Sequence, residues 1–389
     1  MLRPQTKITI TTKLKTIVFD FANKYEFQDG WGTLTSTGKV TLPKNIYAVD
    51  KSNKKRFPMF GKNIGGFGNK EPILKRGDKI KIESNYIYYD KNLNQKSTPV
   101  VTVADGYISK VGSKVPIEIE FEDNMYLLKQ IAMKNQAYPL GTSIESIMTD
   151  VLIGTGLTVN NLTETNATYN NCLLTSENET AAQFLAKMKK DMNISAYFRG
   201  KELRIGSIIY FDDIANSKTF QFQETIISSD LVYSRKDDIV VSCVASNHIE
   251  QNTGSKTKDG ANKTKKVRLE VLVTLKNNIV ITRVIKKGDK PEENTDGQRM
   301  TFPFPEAKTI DELIKLATVQ LKRYYYDGFK GSFTTFGTPY VQFGDNANIV
   351  NDVLPEQNGI YKIKAVEYTG GVDGTRQKII LDYKLKVDE

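Results

Sequence analysis

Apolar and polar residues alternate one by one through much of this chain. Ile117, Ile119 and Phe121 fall on one side of "IEIEFE", with three glutamates on the other. "VRLEVLVT" aligns Val267, Leu269, Val271 and Val273, and "LDYKLKV" sets Leu381, Tyr383, Leu385 and Val387 against Asp382, Lys384 and Lys386. A period of two with one apolar face predicts antiparallel sheets, packed on one side and wet on the other. "ISAYFRGKELRIG" predicts a hairpin in which Ile194, Ala196 and Phe198 run to a turn at Gly200 and Leu203 and Ile205 return.

Three stretches change to the helical period, each behind a Ser or Thr with Glu three residues on, the spacing of a capping box. Thr142 with Glu145 opens a helix over 142–153, striped by Ile144, Ile147, Met148, Val151 and Leu152. Ser176 with Glu179 opens a second over 177–190, with Ala181, Phe184, Leu185 and Met188 inside and Lys187, Lys189 and Lys190 at its negative end. Thr309 with Glu312 opens the longest, striped by Ile310, Leu313, Ile314, Ala317, Leu321 and Tyr324 and ended by "DG". Strand and helix do not alternate regularly, which disfavours a parallel α/β sheet. The pattern predicts a mainly β protein with an α+β insert.

At 389 residues the chain is long for one core, so two or three domains are expected. The longest apolar runs, such as "NIVITRVI", are far shorter than a membrane span, and the first residues alternate like a strand rather than forming an apolar signal core. The expectation is a soluble protein made inside the cell, with no membrane insertion. Two cysteines, Cys172 and Cys243, exclude a disulfide framework and are expected reduced and buried. The net charge of +10 gathers in "KSNKKR" (51–56) and "KTKDGANKTKKVR" (256–268). Neither run interleaves aromatics as a single-strand binding groove would, so both are expected to be solvated loops.

Chemistry finds little support. His248 is the only histidine, and "CVASNHIEQNTGSK" reads as a strand running out into a polar loop, a poor place for an oriented base. No CxxC, HxH or HExxH spacing exists. The glycine-dense "FGKNIGGFGNK" (60–70) runs toward Pro72 rather than into a helix, so it fits neither a phosphate loop nor a dinucleotide fingerprint. No catalytic, cofactor-binding or metal-binding residue is assigned, and no cofactor is expected.

Residues 329–350, "FKGSFTTFGTPYVQFGDNANIV", place Gly331, Gly337 and Gly344 between short runs that alternate aromatic and polar residues. Gly337 with Pro339, and Gly344 with Asp345, are the turn candidates; "SFTTF" and "YVQF" are expected as half-buried strands of one barrel hairpin.

Three segments in order carry a resemblance. They are "DGYISKVGSKVPIEIEFEDNMYLLKQ"; then "GTSIESIMTDVLIGTGLTV" with "TAAQFLAKMKKDMNISAYFRGKELRIG"; then residues 324–385, with their GxPxxxxGD spacing and "YKIKAVEY" strand. Together they cover well over half of the chain. The sequence resembles the baseplate hub proteins of contractile phage tails and related injection machines, the late control protein D group. The resemblance implies a tube-like β-barrel domain over 1–125 and an α+β insert of two helices and a hairpin over 126–205. It implies a second tube-like barrel from 206–245 plus 330–389, and a strand-rich segment with a basic loop and a long helix over 246–329. It further implies a homotrimer that joins the sixfold tail tube to the threefold central spike and meets other baseplate or tape-measure proteins. Such a ring would be assembled in the bacterial cytoplasm, sit in the virion tail or injection particle, and meet DNA only in transit. It makes or breaks no bond, and with the chain stopping at "KLKVDE", spike or wall-degrading activity would belong to another protein. Two other functions stay open: a β-rich carbohydrate-active enzyme of a tail tip, and a basic nucleic-acid-binding protein.

Overall fold

The stretches of period two become long strands. The computed structural model describes residues 3–13, 15–43, 47–49, 56–58, 74–112, 116–139, 141–161, 173–192, 194–206, 217–256, 262–286, 289, 298–304 and 307–385. The first third holds β1 (Arg3–Thr11), β2 (Thr16–Phe19), β3 (Lys24–Gly30), β4 (Thr37–Leu42), β5 (Tyr47–Val49), β6 (Arg56–Pro58), β7 (Lys79–Tyr89), β8 (Gln95–Ser97), β9 (Val101–Val111) and β10 (Ile117–Glu122). A middle segment follows with α1 (Met125–Leu128), β11 (Gln136–Tyr138), α2 (Ile144–Val151), β12 (Thr158–Asn161), β13 (Leu173–Thr175), α3 (Ala181–Met192), β14 (Ser195–Arg199) and β15 (Glu202–Gly206). Next come β16 (Ser217–Gln221), β17 (Ile226–Ser229), β18 (Val232–Ser234), β19 (Val241–Lys256), β20 (Asn262–Lys276), β21 (Ile279–Val284), β22 (Gln298–Pro303) and α4 (Ile310–Lys322). The chain closes with β23 (Gly328–Lys330), β24 (Ser332–Phe336), β25 (Asn346–Val350), β26 (Gly359–Gly371) and β27 (Arg376–Lys384).

Among the described residues fourteen strands share one sheet, ordered β17–β24–β27–β26–β3–β4–β10–β9–β7–β1–β2, with β8, β16 and β25 paired beside this path. Its centre is the antiparallel ladder of β3 on β26, where Lys24–Gly30 face Gly371–Ala365. Strands from the two ends of the chain therefore form one continuous surface. β16 and β17 join β25 and β24 across the long insertion between them. Among the described residues the ladders are antiparallel except β12–β15, β16–β25 and β19–β22. The mainly β fold with an α+β insert is thus present.

The alternation works as side-chain sorting. Ile117, Ile119 and Phe121 are buried while the glutamates between them are half-exposed. The sheet core joins Ile8, Ile80 and Phe121 to Phe220, Phe333 and Ile379. Each such side chain contributes ~1.5–3 kcal/mol by leaving water. A second core fills the middle lobe, where α2 (Ile144, Ile147) and α3 (Phe184, Leu185) meet the β14–β15 hairpin (Phe198, Leu203). The hairpin turns at Gly200, as expected, and β12 adds to it in parallel. A third core lies between α4 (Leu313, Ala317, Leu321) and the sheet β21–β20–β19–β22 (Val241, Cys243, Val271, Val273). Position 245, where a domain limit is expected, falls inside β19.

Helix starts differ from two of the three expectations. Thr309 and Glu312 do form a full capping box on α4. On α2 the cap is Ser143, whose hydroxyl accepts from Ser146 N at 3.1 Å, while Thr142 donates to Pro139 O in the preceding turn. Ser176 organises an earlier turn, and α3 begins only at Ala181 behind a reciprocal pair of Thr180 and Gln183. A glutamine at the third helical position reaches back as a glutamate would. α4 stops at Lys322, before the "DG".

His248 lies in β19 opposite Arg268, not in a loop. Lys256 and residues 262–268 likewise belong to the β19–β20 ribbon. The main chain can pair without an apolar rhythm, because backbone hydrogen bonds carry a two-stranded ribbon once its root is anchored. Lys51–Lys55, residues 60–70, Cys172 and Val387 lie outside the described residues, whereas Arg56 opens β6. Cys243 is fully buried, and burial pushes its thiol up to about 12.

Candidate functional site

Residues 329–350 do not make a hairpin. β24 pairs with β17 and β27, whereas β25 pairs with β16 and β26, so the two strands never meet in a ladder. Between them residues 337–345 run outside any strand, with Val341 and Phe343 fully buried. "YVQF" alternates because its side chains alternate between core and surface, but its backbone bonds go elsewhere. Val341 O accepts from Tyr368 Oη at 2.6 Å, and Pro339 O from Gln377 Nε2 at 2.5 Å. The Thr338–Pro339 peptide is cis.

This segment acts as a clasp. Gly337 N donates to Tyr86 Oη at 2.9 Å, and the same hydroxyl donates to Thr375 O, tying β7 to the end of β24. Gly337 leaves room for that approach, since a Cβ there would lie 2.6 Å from Thr375 Cγ2. Tyr340 stacks on Tyr368 at 5.5 Å and donates to Thr102 O of β9. Gly344 turns the chain at φ +82°, and Asp345 closes the turn by accepting from Gln342 N at 2.8 Å. Gly331, at φ +117°, sits between β23 and β24 against the Asp230 carbonyl.

The clasp meets the lobe through Arg199, at the tip of β14. Its guanidinium donates to Gln342 Oε1 and Phe343 O and lies 4.6 Å over the Phe343 ring. Phe343 packs edge-on against Tyr197 (4.6 Å) and Trp31 (6.3 Å), a small aromatic core separate from the other three. Lys189 of α3 donates to Gly32 O at 2.8 Å, and Asn124 Nδ2 to Gly200 O at 2.5 Å. Sheet, lobe and clasp therefore converge on one joint. Two carboxyls sit beneath it, Asp29 at the end of β3 and Asp123 just after β10. Burial drives both upward, Asp29 to about 6 and Asp123, further raised by the charge of Asp29, to about 8.

Of these residues, the sequence pointed to Gly331, Gly337, Pro339, Gly344 and Asp345 as turn candidates and to Lys189 only as a charge at a helix end, but not to Trp31, Arg199 or Asp29. The available signals were the only tryptophan, set in the turn "DGWGTLTS", and the acidic "ED" that closes β10.

A groove of about 620 Å³ runs along β3, β4, β10 and β26, lined by Glu26, Glu120, Glu122 and Glu367 together with Phe27, Phe121 and Tyr368. Glu120 and Glu122 are bound by Lys110 (3.0 Å) and Lys129 (2.6 Å), and Glu26 by Lys24. Among the described residues no three His, Cys, Asp or Glu are grouped to hold a metal ion, and no helix is long and apolar enough to cross a membrane.

No protein-family model matches this sequence, and no curated protein does. Solved structures match its fold. The 43 kDa tail protein of prophage MuSo2 from Shewanella oneidensis is similar at a TM-score of 0.56 and 11% identity, over 98% of this chain and 98% of that one. The tail protein from Neisseria meningitidis MC58 is similar at 0.55 and 11% identity, over 97% and 96%. At such identity the likeness is one of fold, and it runs from end to end.

Proposed function

We propose that this chain is a structural baseplate or tail hub that forms a trimeric ring between the sixfold tail tube and the threefold central spike. The supporting observation is the end-to-end match to the fold of two tail proteins, over at least 96% of each chain. The architecture suits the role. One module from the N-terminal third and one from 217–234 with 328–385 are fused through β3 and β26, so a threefold ring of such chains offers six sheet-rich modules. In this reading the lobe and the β19–β22 unit supply contact surfaces for spike, tube or tape-measure proteins. No reaction is assigned: the groove's lysine-bound carboxylates suit a solvated strand face better than an acid and base pair.

Light scattering of the purified chain, alone and with the spike protein encoded beside it, tests the proposal. A particle of three chain masses, in either case, is expected. A particle that stays monomeric beside spike and tube proteins overturns it.

A further inference from the structure

We infer that the joint of sheet, lobe and clasp is a proton-sensitive latch, closed while the Asp29–Asp123 pair holds a proton and loosened once both carboxyls are ionised. The two acids meet around one serine. Ser36 Oγ donates to Asp29 Oδ1 at 2.6 Å, and Asp123 N donates to Ser36 O at 3.0 Å. Asp123 Oδ1 also accepts from Met125 N at 3.0 Å, fixing the start of α1 and with it the floor of the lobe. Asp123 is 8% exposed, so a charge there has little water to answer it.

The surrounding charges come from β10, the end of α1, β14, the clasp, β26 and α3. β10 presents Glu122, already bound by Lys129 of the α1 end. β14 presents Arg199, the cation that acts on Asp29 while it clamps the clasp. The clasp and β26 present Tyr340 and Tyr368, both neutral below pH 10 because burial raises them. α3 presents Lys189, whose ammonium is turned to the carbonyls of Trp31 and Gly32. Arg199 is the cation that acts on Asp29, while Glu122 adds a further negative charge beside Asp123, so the cluster suits one negative charge on the pair better than two.

The direction follows by linkage. Both carboxyls sit above the ordinary aspartate value near ~4, so the folded joint binds protons that an open one releases. Its stability grows as pH falls from above 8 toward 4, and is lost as pH rises through about 6 and then about 8. The two steps belong to the pair rather than to either residue alone.

Trp31 is the only tryptophan and lies in the joint, so the intact chain reports on itself. Between pH 7 and 9 its emission is expected to shift to the red and acrylamide quenching to increase, and Asp123→Asn is expected to abolish both changes. Emission and quenching that stay flat over this range, or a transition that persists unchanged in Asp123→Asn, overturn the latch. Carboxyl-carbon NMR of the wild-type chain needs no variant: two aspartates are expected to titrate above pH 5.5. All aspartates titrating below pH 5 would overturn it equally.

Discussion

Gly344 and Arg199 stand one van der Waals contact apart, and their roles separate cleanly. A Cβ on Gly344 would lie 3.4 Å from Arg199 Nη2, an ordinary distance, so space does not require glycine there. Backbone does: φ is +82°, where a β-branched side chain is strained. Gly344→Val is expected to lower stability by ~1–3 kcal/mol, whereas Gly344→Asn, a residue that visits this region more readily, should lose distinctly less. Thermal melts of the two variants check this, and equal melting temperatures for valine and wild type would exclude strain. Glycine before aspartate is a local turn signal, so this position was legible in the sequence. Arg199 was not, because its partners Gln342 and Phe343 lie more than 140 residues away and no local pattern encodes them. The same holds for Asp29 and Asp123, which come together only because β3, β4 and β10 are neighbours in the sheet.

Strands were legible where one face is buried, as in β10 and β27, since burial writes a period of two into the side chains. That rhythm says nothing about which strands pair. It therefore made a hairpin of the clasp, whose core-facing Val341 and Phe343 imitate a strand without a ladder. Helix starts blurred for a related reason: Thr142 and Ser143 are adjacent candidates, and Ser176 and Thr180 lie one turn apart. Geometry selects the residue whose extended backbone aims its oxygen at the third helical amide, as Ser143 does at φ −74°, ψ 147°. Thr309→Ala and Thr180→Ala are each expected to cost ~0.5–2 kcal/mol, and Ser176→Ala much less, because its hydroxyl serves a turn outside the helix. Chemical denaturation of the three single variants measures the differences. A loss at Ser176 as large as at Thr180 would return the helix start to its earlier position.

The molecule is held together unevenly, and that unevenness has a measurable consequence. β3 and β26 share seven residue pairs, and across that seam Phe27 stacks on Tyr368 at 6.1 Å, while on its other side it stacks on Phe121 of β10 at 5.7 Å. Such ring pairs add ~0.5–1.5 kcal/mol each beyond their burial, so the two ends of the chain should open together or not at all. The unit of α4 and β19–β22 has its own core and is tied to the rest by slighter means. Among the described residues, the two segments leading into and out of it pair in the three-residue β18–β23 ladder and through a bond from Lys236 N to Asp327 at 2.8 Å, and Arg323 lies 5.8 Å over the Tyr383 ring. Leu313 is fully buried at the centre of that core. Leu313→Ala removes ~2–5 kcal/mol of packing, and the loss should stay where it is made. Hydrogen exchange is expected to quicken in α4 and β19–β22 while the amides of β3 and β26 keep their protection, since local opening follows local stability. Equal quickening in both regions would mean one cooperative block, and the unit could then not yield to a partner while the sheet stays closed. Confined exchange would leave the sheet as the rigid frame and the α4 unit as the part free to adjust against whatever docks on it.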